Sequence, residues 1–146
     1  MRDHVLVDHD RVLPPPTASG PVSLALALAH AEQAVLDRLR PLLAETGLAL
    51  EHWRVLAVLL DRPGQSMAAL ADQAFVAAAS LTRHVDRLVE LGLVVRSIDP
   101  ADRRRSVTAL APRGTAYARR LHDVELLARD EVLQRLFAAE KRSSPA

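Results

Sequence analysis

Cysteine is absent from the 146 residues, which removes disulfides and thiolate metal ligands from consideration. Lysine is nearly absent too: of 19 basic residues only Lys141 is not arginine, and arginine with abundant alanine suggests a GC-rich coding sequence rather than a mechanism. Net charge is scarce, at +1, so attraction to a polyanion must come from local patches. No apolar run approaches the ~18–20 residues of a membrane span. The opening MRDHVLVDHDRVL lacks the apolar core of a signal peptide, so a cytoplasmic protein with no membrane partner is expected. There is no glycine-rich phosphate loop, nucleophile elbow or Ser–His–Asp spacing. The six histidines, at 4, 9, 30, 52, 84 and 122, form no close pair at metal spacing apart from His4 and His9 in the tail. No catalytic residue, metal ligand or cofactor is therefore assigned, and a non-enzyme is expected.

What is present is a chain that is 49% hydrophobic, enough for one sizeable core and one domain. Its organising stretch runs from Ser66 to Gly114. Ser66 caps a short helix, MAALADQA, and that helix N-terminus suits a phosphate. A second helix follows, with Leu81, His84, Val85, Leu88 and Leu91 at three- and four-residue steps facing a core. Its other side carries Ser80, Thr82, Arg83, Asp86 and Arg87, short hydroxyls and arginines suited to base edges and phosphates in a major groove. Gly92 stops this helix. VVRSI and SVTAL, rich in β-branched residues, then flank a polar loop and read as an antiparallel hairpin. The loop, DPADRRR, ends in Arg103, Arg104 and Arg105, and arginine is the residue that enters a narrow minor groove.

The order LTRHVDRL, LGLVVRSIDPADRRRSVTAL, APRG resembles the MarR family of bacterial transcription regulators, from about Leu48 to Gly114 and more loosely from Val22. Its most specific part is the D-x-x-D-R-R pattern at Asp99–Arg104, placed soon after Leu88–Gly92. The resemblance implies a mainly α fold with a small β wing: a winged helix-turn-helix with long N- and C-terminal dimerisation helices. It implies a homodimer that binds double-stranded DNA at a palindromic operator and is released by a small-molecule effector. Ser66, Ala79, Ser80, Thr82, Arg83, Arg87, Arg103, Arg104 and Arg105 are the expected DNA-binding residues, with Asp86 bracing a wing arginine. Relatives that sense peroxide through a thiolate have no counterpart here. The competing expectation is a winged-helix protein–protein adaptor without sequence-specific DNA binding.

In chain order, residues 1–20 read as a flexible N-terminal arm around Pro14–Pro16, with docking across a partner subunit as the alternative. Residues 21–47 form a dimerisation helix, its seam on Leu24, Leu28, Ala31, Val35, Leu39 and Leu42, kinked or interrupted at Pro41. Residues 48–111 form the DNA-binding lobe, beginning with a helix over Leu50–Asp61 whose Trp53, Leu56, Ala57 and Leu60 share a face. Residues 112–146 form a C-terminal dimerisation helix continuous to about Ala139, with an apolar stripe on Ala116, Leu121, Val124, Leu127, Val132, Leu136 and Phe137. FAAEKRSSPA resembles the opening of a final helix that is then truncated.

Four positions depart from the family pattern. Ala49, Ala77 and Ala111 stand where Ser or Thr usually caps a helix, and Phe75 stands where a turn glycine is common. Ala77, Ala78 and Ala79 also leave the start of the recognition helix lean in hydrogen-bonding groups. Trp53 reads as a core anchor, with the wall of an effector cleft as the alternative; His30 and His52 border the same expected cleft and are candidate contacts to a small anion.

Overall fold

The computed structural model describes residues 23–143. Six helices and one hairpin follow in order: α1 (Leu24–Ala44), α2 (Leu50–Asp61), α3 (Met67–Ala74), α4 (Ala78–Glu90), β1 (Val94–Ile98), β2 (Ser106–Leu110), α5 (Pro112–Leu126) and α6 (Arg129–Ser143). Mostly helical with one small antiparallel wing, this is the expected fold class. The arm expected over residues 1–20 lies outside the described residues.

The core gathers where α2 crosses the lobe. Val55, Leu56 and Leu59 of α2 meet Leu70 of α3, Leu81, Val85 and Leu88 of α4, and Leu121 of α5, all 2% exposed or less. The apolar stripe read for α4 is thus the buried one, with His84 and Leu91 half-buried at its edge. Gly92, at φ 72, takes the left-handed conformation that ends α4, and the Leu93 N–H closes back on the Leu88 carbonyl at 3.0 Å. The hairpin pairs Val94 with Leu110 through Ile98 with Ser106. Gln65, ahead of α3, adds a bridge to buried Thr108 of β2 through two backbone bonds of 3.1 and 2.8 Å, fastening the wing to the lobe.

Three expectations need correction. First, α1 does not bury its leucine seam along its whole length. Its first half buries Ala27, Ala31 and Ala34, while Leu24, Leu26 and Leu28 stay 53–66% exposed. The LALALA pattern turns its small residues toward α6, with which α1 makes its most extensive contact, and small side chains permit close helix approach. Second, α1 runs through Pro41 without interruption. The proline lies on the exposed side of the last turn, where one forfeited hydrogen bond is offset by burial of its neighbours Leu39, Leu42 and Leu43.

Third, the C-terminal helix is not continuous. The chain tightens after α5, with Leu127 N–H on Val124 O at 3.1 Å and Ala128 N–H on Glu125 O at 3.0 Å. α6 then begins at Arg129, well before Phe137, and has 15 residues rather than a stub. Fully buried Ala128 is the pivot. Leu127 at this break and Phe137 beyond it fall on exposed positions, and within α5 itself Ala116 is exposed while Tyr117 and Ala118 are buried instead.

α5 is tied to the end of α1 by the Tyr117 hydroxyl, which donates to the Leu42 carbonyl at 3.0 Å and lies 2.9 Å from Thr46 Oγ1. Among the described residues, no helix is long and apolar enough to cross a membrane, and no group of three or more His, Asp or Glu side chains could hold a metal.

Candidate nucleic-acid interface

The exposed face of α4 presents Ala79, Thr82, Arg83, Asp86 and Arg87, whereas Ser80 is half-buried. Arg87 lies 3.4 Å from Glu90, one turn along. Asp86 pairs with Arg96 on β1, so the carboxylate on the recognition face is engaged by a wing arginine. This is the brace expected of Asp86, and Arg96 is the interface residue that sequence reading overlooked. Alternation along VVRSI puts Arg96 on the face of buried Val94 and opposite buried Thr108, so the strand pattern alone gives no sign of it.

The wing tip explains its own sequence. The Asp99 side chain accepts the Ala101 N–H at 2.9 Å, and the Asp102 side chain accepts the Arg104 N–H at 3.0 Å. Main-chain bonds from Asp99 N–H to Arg105 O (2.8 Å) and from Arg105 N–H to Asp102 O (3.0 Å) close the loop. Short acceptors two residues before an N–H are what such turns require. Both carboxylates are thereby committed to shaping the backbone. Among the described residues, no ion pair involves Arg83, Arg103, Arg104 or Arg105, and all four are exposed. Ser66 caps α3, accepting the Ala69 N–H at 3.3 Å, and is half-buried.

The turn between α3 and α4 keeps a left-handed residue even without glycine. Phe75 sits at φ 54, the one positive-φ non-glycine among the described residues, and is 86% exposed. Such a residue costs about 1–2 kcal/mol of local strain. Ala49, Ala77 and Ala111 occupy N-cap positions with no side-chain cap. At α2 the histidine at N3 compensates in part, because the His52 ring accepts the Ala49 N–H at 2.9 Å.

That bond fixes the tautomer. With Nδ1 accepting, His52 carries its proton on Nε2 and donates to His84 Nδ1 at 3.2 Å, the two rings packing edge-on at 4.6 Å. Burial, and then the repulsion that would arise if both imidazoles carried a proton, lower the His52 pKa from its ordinary value; Glu51 opposes this and Arg87 adds to it. His52 therefore joins α2 to the recognition helix.

Trp53 points the other way. It is buried, and its indole N–H donates to Glu125 Oε2 of α5 at 2.5 Å. Trp53, Ala57, Leu60, Ala74, Phe75 and Glu125 line a cleft of about 510 Å³ between α2, the end of α3 and α5. Of the three residues expected at an effector cleft, then, only Trp53 reaches this one; His52 is turned toward α4 and His30 is exposed on α1. Glu125 carried no sequence signal, since its partner lies 72 residues away.

The MarR family profile matches residues 46–105, from the end of α1 through the wing tip. The HTH-type transcriptional regulator FarR of Neisseria gonorrhoeae is 32% identical over 99 residues, 68% of this chain and 68% of that one. A structure of NadR in complex with 4-hydroxyphenylacetate superposes with a TM-score of 0.65 at 28% identity, covering 87% of this chain and 89% of the other. The transcriptional repressor CouR, bound to a 23-mer DNA duplex, superposes at 0.63 and 25% identity, covering 82% and 84%. These likenesses favour a DNA-binding regulator over a protein–protein adaptor. The chain belongs to the MarR family of transcriptional regulators.

Proposed function

We propose that this regulator grips duplex DNA as a homodimer, each protomer placing α4 in a major groove and the wing tip against the adjacent minor groove. The observation that carries the reading is the wing tip. Its two aspartates are engaged by backbone N–H groups, which leaves Arg103, Arg104 and Arg105 exposed and without an ion-pair partner among the described residues. Arg83 and Arg87 take phosphates or base edges, Thr82 and Ala79 contact bases, and Ser80 and Ser66 contribute from the margins. Two recognition helices ~34–36 Å apart meet successive major grooves of a palindrome.

Residues 48–111 serve as the DNA-binding lobe, while residues 21–47 and 112–146 build the dimer. Support for that division comes from Leu24, Leu26, Leu28, Leu127, Leu133 and Phe137, which are 42–66% exposed on α1 and the α5–α6 arm, an apolar surface that a second copy covers. The cleft beside Trp53, bordering the turn that leads into α4, is the effector site.

The test is a salt series on a duplex recovered by selection from random sequence. Affinity should fall steeply between about 50 and 200 mM salt, with a slope of ~0.9 per neutralised phosphate. Replacing Arg103, Arg104 and Arg105 together by Ala in both protomers should lower affinity and shrink that slope by up to ~5.4. A flat salt dependence, or unchanged affinity in the triple variant, refutes the reading.

A further inference from the structure

We propose that the cleft beside Trp53 receives an organic cation, an amidinium or ammonium on a flat apolar body, held between the Phe75 ring and the Glu125 carboxylate. This rests on the reading of the cleft as the effector site and adds the chemical class of its ligand. Ala57, Leu60 and Ala74 give the cleft apolar walls, and Phe75, a residue 86% exposed, stands at the edge. An aromatic ring held in solvent on a left-handed backbone has no packing reason to be there. Its face offers negative electrostatic potential to a cation.

The charges decide between cation and anion. Arg54, the one arginine lining the cleft among the described residues, is paired with Glu32 of α1. Among those residues Glu125 has a single partner, the neutral indole N–H of Trp53, and no basic side chain lies within ion-pair distance of it. Asp61 adds a second carboxylate, approached only by Arg62 at 3.7 Å where both side chains are mostly in water. A cation entering the cleft gains a half-buried carboxylate whose second oxygen has no partner among the described residues. An anion would have to displace Glu32 from Arg54 and would face both carboxylates, with only the exposed imidazole of His122 as a further basic group on the lining. The cleft therefore differs in sign from what a carboxylic acid ligand needs, although NadR is seen with 4-hydroxyphenylacetate.

The experiment uses three flat probes of one size and different charge: benzamidinium, neutral benzamide and benzoate. Binding to the full chain is measured by titration calorimetry and by emission from Trp53, the only tryptophan. Benzamidinium should bind at least tenfold more tightly than benzamide, with benzoate weakest. Glu125→Gln keeps an acceptor for the indole N–H; it should erase the benzamidinium advantage and leave benzamide binding as it was. Phe75→Ala, at an exposed position, should weaken benzamidinium more than benzamide. If benzoate binds best, the effector site stands and the cationic ligand class falls. If none of the three gives heat or changes emission at millimolar concentration, both fall, while the salt series on DNA still tests the regulator independently.

Discussion

Gly114 is the third residue of α5, and replacing it with alanine sets two effects against each other. Inside a helix alanine is favoured over glycine by up to about 1 kcal/mol, so propensity alone expects a more stable protein. Packing expects the reverse. A Cβ on Gly114 would lie 1.8 Å from the Leu93 carbonyl oxygen and 2.7 Å from its carbon, and both are backbone atoms. Reaching the 3.0 Å below which real Cβ contacts essentially do not occur demands a separation of about 1.2 Å. That same carbonyl accepts the Ala111 N–H at 2.9 Å, so separation stretches the bond past hydrogen-bonding range. Overpacking costs about 1–3 kcal/mol, and a broken bond at a partly buried site costs about 1–3 more. Set against the propensity gain, the net loss is about 3 kcal/mol. At about 3–4 °C per kcal/mol for a chain of this size, the Tm should fall by about 10 °C. Circular dichroism melts at one fixed protomer concentration measure it, because dimerisation makes Tm depend on concentration. A Tm that is unchanged or higher would show that the α5–β1 junction is not the close backbone approach these distances imply.

Replacing Asp99 and Asp102 together by Ala makes the wing more positive, yet affinity for a selected duplex should fall, because the loop loses the acceptors that shape it; tighter binding in an anisotropy titration would mean the aspartates act only by opposing phosphates. Ala111→Thr should add a cap to α5 and raise stability by about 1 kcal/mol, read as a higher midpoint in urea; no change beyond error counts against it. His52 is held neutral by burial, so its unfolded form takes up a proton first: stability should be flat above the ordinary imidazole pKa of ~6.5 and decline as pH falls below it. In His52→Gln, which keeps a capping acceptor at N3, that decline should be shallower, and identical pH profiles of the unfolding free energy would refute the assignment. Phe75→Gly should relieve left-handed strain and stabilise by about 0.5–1 kcal/mol, and a loss of stability would show that the ring packs on something essential.

The lobe is the legible part of the sequence because its signals are local. α2, α3, β1 and β2 occupy the segments their patterns mark, since a cap at Ser66, a stop at Gly92 and two β-branched runs each act within a few residues. The two outer helices depart from expectation for a shared reason. In LALALA every residue is apolar, so periodicity cannot say whether Leu28 or Ala27 faces inward; the close approach of α6 decides it. Likewise the break at Leu127–Ala128 follows no proline or glycine. Ala128 is fully buried there, which is a fact about tertiary packing. At the site, the local DPADRRR pattern discloses the wing, whereas the Trp53–Glu125 bond and the His52–His84 pair join residues 72 and 32 positions apart and leave no trace in sequence spacing.

Helix α2 is where those two long-range contacts meet. Its consecutive residues His52 and Trp53 diverge, one to the recognition helix and the other to the cleft. On the proposed reading of the cleft as an effector site, a molecule lodged there would press on α2 and on Phe75, and Phe75 stands three residues before α4 begins. Both routes thus end on the same helix, one at its first turn and one at His84 near its middle. Because Leu81, Val85 and Leu88 are close-packed, α4 would answer such a push by moving as a body, not by bending. The Asp86–Arg96 pair would then couple that displacement to the wing. An effector need not touch the DNA-contacting face to act: moving one recognition helix relative to its twin spoils the spacing that two successive major grooves impose.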